Sequence, residues 1–473
     1  MAAALKVGSV LSVVIVFAAL VYKRNLDGQL KDQLSVISDS LLRAEKKHSV
    51  SPKTRVAIGL GGCEDVFVDG IELLETFGLE PPDKPIHHDT IESRRHLTEM
   101  FAYFFRHGAA AERYMADKNF FMKFVDVAKE LSDSRRALGG NAPVMANRLA
   151  IEGCDVLLGA SMSDKLMSEL KEEVQVTGSI LPVDDVHLIM EYKSGERWGK
   201  YTAPRANRFI VHSDVSNPML ESLEDFKSKL PDFQPHLLVI GGLQMMDNFP
   251  SVKRKERITE LGDMLKNVPR ETRIHFEMAS FAEEDMMDHL YDHVLPYSDS
   301  LGMNEQELAN LHTRLNYGNV TLVADAYPRV ATVLDQMRMV YNLLHKTLPV
   351  GGQRRVTRIH THTLAFQAIL TTKGSAWKNT MAAAAKASLT AYRHVCALPD
   401  IDTTKARLIM DDSFSVSRQE GSRRIPLQPD RPVSCWSEQN FEICIAPVLV
   451  CTEVIQTAGG GDNVSSAGLV LQI

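Results

Sequence analysis

Short apolar runs rich in β-branched residues alternate along this chain with longer amphipathic stretches, and this alternation most limits the fold. The runs predict strands at residues 55–61, 155–160, 187–192, 208–213, 236–242, 273–279, 319–324, 357–363 and 446–452. The stretches predict helices at 251–267, 282–291, 329–347 and 377–395. Strand followed by helix, repeated, is typical of a mostly parallel sheet with helices on both faces. The sequence therefore predicts a doubly wound α/β fold, with ligands beyond the carboxyl ends of the strands.

Two of the predicted strands differ from the others. Residues 187–192 and 208–213 are joined by a connection that contains the turn-rich string K-S-G-E-R-W-G-K. Such a connection favours an antiparallel hairpin over a parallel pair. We expect these two strands to form part of a small separate sheet, which could cover a binding site as a lid.

The composition is that of a globular protein. Among 473 residues, 44% are hydrophobic and 24% are charged, and the net charge is −7. No long block of like charge occurs, and there is no basic footprint for a polyanion. We therefore expect no nucleic-acid partner and, by default, a monomer.

The N-terminus carries an uncharged run of sixteen residues at 7–22, followed by Lys23 and Arg24. This is short for a full membrane span and suits a signal-peptide core or a signal anchor, whereas a buried helix of the fold is the alternative. We predict a signal peptide or anchor at 1–24, a polar linker at 25–54, and membrane contact through this segment only. The expected location is the endoplasmic reticulum, lumenal or membrane-anchored, or outside the cell. In such a compartment a Cys396–Cys451 disulfide is our hypothesis; otherwise buried free cysteines are expected.

A glycine-rich turn near the C-terminus is the strongest chemical signal. Gly459, Gly460 and Gly461 run into Asp462, and a helix-compatible segment follows. Glycines let backbone N–H groups surround an anion, and the start of a helix adds its positive dipole end. Asp462 could take a proton from an attacking hydroxyl. The turn therefore suits phosphoryl transfer to an alcohol; the alternative is an ordinary turn before a helix.

A second glycine-containing motif, Gly139-Gly140-Asn141, precedes a predicted helix. Close backbone approach at Gly140 and the amide of Asn141, which both donates and accepts hydrogen bonds, suit a sugar. The alternative is that Asn141 only caps the helix.

Oxygen-bearing and cationic side chains supply candidates for a metal and for phosphate. Asn304 and Glu307 follow an apolar run, which suits Mg²⁺ with retained waters or, equally, a capped helix start. Arg205 and Arg208 flank a predicted strand start, where either could offset phosphate charge or remain at the surface.

Several strings taken together resemble the ADP-dependent glucokinases of animals, a family of the ribokinase-like kinases. They occur in one order over most of the chain: G-A-A-A-E-R from Gly108, G-G-N from Gly139, H-L-I-M-E-Y from His187, A-N-R-F-I from Ala206, G-G-L-Q-M-M from Gly241, H-F-E-M-A-S from His275, N-E-Q-E from Asn304, T-R-I-H-T-H-T-L from Thr357 and G-G-G-D from Gly459. The N-terminal apolar run is also similar to the targeting segment of animal members.

The resemblance implies a ribokinase-like kinase domain at 55–473. A small α/β lid, formed by insertions roughly within 62–135 and 180–212, would close over glucose and ADP. It also implies the products glucose 6-phosphate and AMP, and Mg²⁺ as cofactor. The roles it implies are Asp462 as base, Gly459, Gly460 and Gly461 as phosphoryl cradle, Arg208 (less readily Arg205) as phosphate partner, Asp65, Glu112, Gly140, Asn141 and His187 as sugar contacts, and Glu277, Asn304 and Glu307 as Mg²⁺ residues.

One departure from the family pattern bears on the sugar. Members usually show N-x-x-x-D after the first strand, whereas this chain has G-G-C-E-D, with Gly61 in place of the asparagine and Asp65 retained. Losing a hydrogen bond to a hydroxyl costs about 0.5–1.5 kcal/mol. This departure motivates one alternative to an active ADP-dependent kinase, a catalytically silent sugar or nucleotide sensor on the same fold. A separate alternative is an ATP-dependent ribokinase-like sugar kinase.

Overall fold

The computed structural model describes residues 2–473 apart from 52, 248, 282, 322, 324, 326, 347 and 348, and before residue 28 it describes side chains only at 16–17 and 22–24. The strands are β1 (Arg55–Gly59), β2 (Cys63–Asp69), β3 (Ala111–Tyr114), β4 (Arg135–Gly139), β5 (Asp155–Gly159), β6 (Val174–Thr177), β7 (Val186–Tyr192), β8 (Arg197–Trp198), β9 (Tyr201–Thr202), β10 (Asn207–His212), β11 (Leu237–Ile240), β12 (Arg273–Glu277), β13 (Ser300–Asn304), β14 (Arg358–His362), β15 (Phe366–Thr372), β16 (Ala406–Leu408), β17 (Ser413–Ser415), β18 (Arg424–Pro426), β19 (Ser434–Ser437), β20 (Phe441–Pro447) and β21 (Leu449–Cys451). The helices are α1 (Ala2–Glu45), α2 (Gly70–Thr76), α3 (Arg94–Phe105), α4 (Lys118–Glu130), α5 (Asn141–Ile151), α6 (Asp164–Met167), α7 (Leu223–Phe233), α8 (Ser251–Lys266), α9 (Glu284–His293), α10 (Glu305–Tyr317), α11 (Val330–Leu344), α12 (Thr380–Val395) and α13 (Gly460–Val470).

The larger sheet has the strand order β19-β20-β15-β14-β13-β12-β11-β1-β5-β6. The strands from β14 to β6 are parallel, and β15, β20 and β19 add an antiparallel edge. Alternate residues of each strand enter opposite cores, as Ala57 does on one face and Val56 and Ile58 do on the other. Helices α8 to α11 cover the first face, and α1, α5, α12 and α13 cover the second. The predicted doubly wound fold is confirmed.

Seven of the nine predicted strands coincide with strands of the structure to within two residues at either end. The predicted strand at 319–324 is wrong for the residues that the structure describes there. Gly318 ends α10 with a φ of 78°, and the Thr321 N–H then bonds to the side chain of Asn310. The predicted strand at 446–452 is split at Val448, between β20 and β21. Residues 322 and 324 of the predicted strand at 319–324 lie outside the described residues. So do residues 282 and 347, at the ends of the predicted helices 282–291 and 329–347.

The smaller sheet has the strand order β3-β10-β7-β2-β4. Strands β7 and β10 pair antiparallel, with His187 opposite His212, which confirms the predicted hairpin. Helices α2, α3 and α4 pack on one face of this sheet through an aromatic-rich core that includes Phe101 and Phe124. All five strands come from chain segments inserted after β1 and after β6, so the smaller sheet faces the edge at which β1 ends.

The segment predicted as a polar linker, residues 25–54, differs from the prediction. Its residues up to Glu45 end α1, and Ile37, Leu41 and Ala44 are buried against the core. Their spacing places them on one face of a helix, a pattern that the surrounding polar residues obscure in the sequence. Within the part of the chain that the structure describes, none of the helices combines the length and the apolar character that crossing a membrane needs.

Two disulfides lie on the α12 side of the larger sheet. Cys396 and Cys451 are bonded across a separation of 55 residues, which confirms that hypothesis. Cys435 and Cys444 are bonded between the neighbouring strands β19 and β20. Cys63 and Cys154 are free and buried.

A buried ionic network attaches the end of α1 to the core. Glu45 accepts from Lys386 at 3.1 Å and from Arg393 at 3.0 Å, both on α12. Lys386 also pairs at 2.7 Å with Glu152, which follows α5. Because these charges are withdrawn from water, each depends on its partners.

We predict that Glu45→Gln lowers the free energy of unfolding by about 2 kcal/mol, since it removes a charged partner from the buried Lys386 and the half-buried Arg393. Urea unfolding measures the change. Glu453→Gln is the matched control, because Glu453 pairs with Lys405 at 2.7 Å but is 62% exposed, and little change is expected. Equal losses in the two variants would contradict the role of the buried network.

Candidate active site

The predicted site residues meet where the carboxyl ends of the larger sheet face the smaller sheet. Glu277 and Asn304 end β12 and β13, and Asp65 and His187 come from β2 and β7. Asp462 lies in the first turn of α13, which packs beside β13 and β14. The five side chains come from positions spread between 65 and 462 of the sequence, and the topology brings them to one cleft.

The glycine turn has the geometry of an anion cradle. Gly459 has a φ of 68° and precedes α13 without any side-chain cap. A Cβ on Gly461 would lie 2.9 Å from Cε1 of His362, and a Cβ on Gly459 would lie 3.2 Å from Cγ1 of Val144. Side chains are therefore excluded here, and the N–H groups of the first helical turn have no acceptor within the helix. They are available to an anion.

Asp462 lies beside this cradle, partly exposed to the cleft. Its Oδ1 accepts a hydrogen bond of 2.7 Å from Nδ2 of Asn141. Withdrawal from bulk water and, to a lesser extent, the negative charge of Glu277 together raise the pKa of Asp462 to about 7, against the hydrogen bond from Asn141 and the positive charge of Arg208. A carboxylate of this pKa is suited to accept a proton near neutral pH.

A chain of hydrogen bonds connects Asp462 to the proposed sugar contacts. Nε2 of Gln244 donates to Oδ1 of Asn141 at 2.8 Å and to Glu112 at 3.3 Å. Oε1 of Glu112 lies 3.4 Å from Nδ1 of His187. The structure thus places Asn141, Glu112 and His187 along one wall of the cleft, next to the base.

Gly140 and Asp65 complete this wall. Gly140 has a φ of 87° and precedes α5, so the capping alternative for Asn141 is wrong: Asn141 is the first helical residue, and its side chain is directed to Asp462. Gly139 lies against the carboxylate of Asp65, where a Cβ has no room. Burial raises the pKa of Asp65 to about 6.

Gly61 stands where the family pattern has an asparagine, and in the structure the side-chain amide of Asn217 lies beside it. Gly61 has a φ of 80°, and a Cβ there would lie 2.5 Å from Oδ1 of Asn217. The Asn217 amide accepts from the N–H of Gly62 and donates to its carbonyl, both at 3.1 Å. The side-chain amide beside this turn therefore comes from position 217.

The three predicted metal residues also come together. Asn304 and Glu307 form a capping box at the start of α10, so the helix-start alternative holds for both side chains. Burial and, to a lesser extent, the charge of Glu277 raise the pKa of Glu307 to about 8. For Glu277, burial would raise the pKa, but the hydrogen bond with His275 at 2.8 Å and the proximity of His362 at 3.7 Å outweigh burial and lower it to about 2. Two buried carboxylates that repel each other form a donor set that a divalent cation fits.

Of the two candidate arginines, Arg208 is the better placed for phosphate. Its positive charge lowers the pKa of both Asp65 and Asp462, so it lies within reach of each. Its Nε is buried and has no hydrogen-bond partner among the described residues. Arg205 instead pairs with Glu305 at 3.2 Å and bonds to the carbonyl of Gly108.

The sequence analysis assigned no role in the site to four residues that the structure brings there: Gln244, Asp214, His362 and His394. Gln244 lies inside the string G-G-L-Q-M-M, and a polar residue among apolar ones after a strand was the available signal. His394 had no such signal. It belongs to the end of α12 and reaches the glycine turn only through the fold.

Comparison with known proteins shows which family has this sequence and this fold. A family model for the conserved region of ADP-specific phosphofructokinase/glucokinase matches residues 54–471. The ADP-dependent glucokinase of Bos taurus is 35% identical over 419 residues, covering 88% of this chain and 84% of the relative. The probable ADP-dependent glucokinase of Caenorhabditis elegans is 29% identical over 441 residues, with the same two coverages of 88% and 84%.

A solved structure, titled as an ADP-dependent kinase complex with fructose-6-phosphate and ADPβS, shares the fold with a TM-score of 0.64. It is 18% identical, and the match covers 94% of this chain and 97% of that one. Fold and site together define a sugar phosphotransferase. The chain belongs to the ADP-specific phosphofructokinase/glucokinase family, which confirms the resemblance found in the sequence.

His394 holds the loop that enters the glycine turn. Its Nε2 donates to the carbonyl of Ala458 at 2.8 Å, and its Nδ1 accepts from Gln456 at 2.9 Å. Burial lowers its pKa, which keeps the ring neutral and able to make both bonds. A Cβ on Gly460 would lie only 3.6 Å from this ring.

We predict that His394→Ala raises KM for the nucleotide about 30-fold, since two hydrogen bonds of about 1 kcal/mol each are lost at the cradle. His394→Gln keeps a donor at the position of Nε2 and should recover part of the loss. Steady-state kinetics at saturating sugar measures the effect, with the exposed His48→Ala as control. An unchanged KM in His394→Ala would contradict this role.

Proposed function

We propose that this protein is an ADP-dependent glucokinase, which transfers the β-phosphoryl group of ADP to the 6-hydroxyl of glucose and releases AMP. The observation that carries the proposal is the position of Asp462. It lies between an anion cradle and a polar wall of sugar-contact type, and Asn141 connects the two. The names of the bovine and nematode relatives support ADP as donor and glucose as acceptor.

The residues present would act together in one displacement. Glu112, Asn141 and His187 would hold the sugar so that its 6-hydroxyl faces Asp462, which accepts the hydroxyl proton as the new bond to phosphorus forms. The turn Gly459–Gly461 would hold the transferred phosphoryl oxygens through N–H groups, and Arg208 would offset their charge. Positioning and charge stabilisation are what phosphoryl transfer chiefly requires of a protein.

We propose Mg²⁺ as the cofactor, held through water by Glu277, Asn304 and Glu307. When bound, the ion neutralises phosphate charge. The support is the position of Glu307 beside Glu277: burial and, to a lesser extent, the charge of Glu277 raise the pKa of Glu307, and a cation bound there would offset both effects. The hydrogen bonds of the capping box leave further lone pairs for water-mediated contact.

A cavity of about 720 Å³ near the start of β15 could accept the nucleoside of ADP. It is lined by Phe366, Tyr327, Arg329 and Phe414, among others. Its position is three residues beyond the end of β14, whose last residue His362 contacts the glycine turn. Aromatic walls and a nearby cation suit an adenosine phosphate.

The direct test is release of AMP when the protein without its first 24 residues is mixed with Mg²⁺, ADP and glucose. Glucose-dependent AMP from ADP, with little product from ATP, is the expected result. Turnover with ATP alone would show the ATP-dependent alternative. Glucose binding without turnover of either nucleotide would show the sensor alternative.

We predict that Asp462→Asn lowers kcat at least about 100-fold, because the amide cannot accept the hydroxyl proton. Circular dichroism and glucose binding should remain those of the parent protein. The control is Asp400→Asn, because Asp400 is exposed and is not one of the residues that form the cleft. Near-parental turnover in Asp462→Asn would rule out Asp462 as the base.

The pH profile should report the same group. Only the ionised carboxylate accepts a proton, so kcat/KM is expected to fall below a pH of about 7, the pKa to which burial raises Asp462. Asn141→Ala removes a hydrogen bond that favours ionisation, and should move this acid limb to higher pH. Gln244→Ala is the control, because Gln244 bonds to Asn141 but not to Asp462. Identical midpoints in the two variants would contradict the assignment.

We also propose that residues 1–24 direct the chain to the endoplasmic reticulum or to secretion. The apolar run at 7–22 and the two disulfides support this, since disulfides persist in oxidising compartments. Protection from added protease in intact microsomes tests the proposal, and loss of protection on deletion of residues 1–24 is expected.

A further inference from the structure

A thiol, a carboxylate and an imidazole meet on the inner face of the smaller sheet. Cys63 and Asp65 are two residues apart on β2 and therefore share a face. His187 on β7 is the register partner of Asp65. Sγ of Cys63 lies 3.4 Å from Oδ1 of Asp65, and the ligand atoms of all three residues lie within 4.8 Å of one another. All three residues are buried.

The surroundings of His187 are those of a metal-bound histidine. Its Nε2 lies 3.0 Å from Asp214, which also accepts from Asn217 at 2.7 Å. A carboxylate on one ring nitrogen fixes the ring and raises the basicity of the other, which is the usual second shell of a histidine ligand. The other nitrogen, Nδ1, lies 3.4 Å from Oε1 of Glu112, a buried atom that makes no hydrogen bond within the described residues.

We propose that Cys63, Asp65 and His187 bind Zn²⁺, with Glu112 or water in the fourth position, and that the bound ion excludes the sugar. Sulfur, nitrogen and oxygen donors in one cluster suit Zn²⁺ rather than Mg²⁺. The thiol of Cys63 gives its proton to solvent as the metal–sulfur bond forms. The exclusion rests on the proposed function, because Asp65, Glu112 and His187 are there the sugar contacts; the metal site itself does not.

Binding of Co²⁺ tests the metal site separately from the exclusion of the sugar. The chelator-treated protein, with its disulfides intact, is titrated with Co²⁺, whose bond to a thiolate gives a charge-transfer absorption in the near ultraviolet. The four disulfide cysteines cannot supply a thiolate, so only Cys63 and Cys154 remain. We expect the band at one Co²⁺ per chain in the parent protein and in Cys154→Ser, its loss in Cys63→Ser, and its displacement by Zn²⁺.

Absence of the band from the parent protein, or its persistence in Cys63→Ser, would overturn the metal site. Circular dichroism of Cys63→Ser distinguishes a lost ligand from a lost fold, and Asp65→Asn, expected to weaken Co²⁺ binding at least about tenfold, is the second variant if Cys63→Ser does not fold.

Glucose tests the exclusion of the sugar in two ways, by the cobalt absorption and by steady-state kinetics. If the ion and the sugar share the site, glucose lowers the cobalt absorption in a saturable manner, and Zn²⁺ raises KM for glucose at constant kcat in the parent protein and Cys154→Ser but not in Cys63→Ser. A cobalt band unaffected by glucose would overturn the exclusion and leave the metal site standing. Absence of any kinase turnover would count against the proposed function alone.

Discussion

The hydrogen bond between Asn141 and Asp462 joins the two halves of the site, and the rest of the cleft depends on it. The two residues are 321 positions apart and meet at 2.7 Å. Asn141 begins α5, which follows a strand of the smaller sheet, and Asp462 lies in the first turn of α13, directly after the glycine turn. Through Gln244 the same amide reaches Glu112 and His187. A displacement of either helix would separate the base from the wall that orients the hydroxyl, and near-attack geometry tolerates little displacement.

Burial of charge gives the site its chemistry. Glu277, Glu307 and Asp462 end up close together where little water reaches them, and their pKa values diverge to about 2, about 8 and about 7. The divergence has a structural cause: Glu277 is hydrogen-bonded to His275 and lies near His362, whereas burial dominates at Glu307 and Asp462. Carboxylates of one type thus become suited to different tasks, one to remain ionised and one to accept a proton near neutral pH.

Hydrogen bonds from the end of α12 hold the loop that leads into the glycine turn. Helix α12 ends at Val395, whose carbonyl accepts the N–H of Ile455, while His394 holds the carbonyl of Ala458. Helix α12 is in turn joined to α1 by the ion pairs of Glu45 with Lys386 and Arg393. A turn that has no side chains cannot pack by itself, so the adjacent helix supplies its rigidity. This accounts for a long, alanine-rich and nearly buried α12 beside the cradle.

The sequence by itself determined the doubly wound sheet, the hairpin of the smaller sheet, the family and the glycine turn, because each has a local signal in periodicity, turn residues or a contiguous string. It did not determine β13, since Ser300–Asn304 has few β-branched residues and forms a strand only because β12 and β14 flank it. Nor could it show that residues up to Glu45 belong to the core, that Asn141 faces Asp462, or that His187 pairs with Asp214. Those contacts join residues distant along the chain. The tertiary structure alone decides them, because burial and pairing of polar side chains depend on which elements become neighbours.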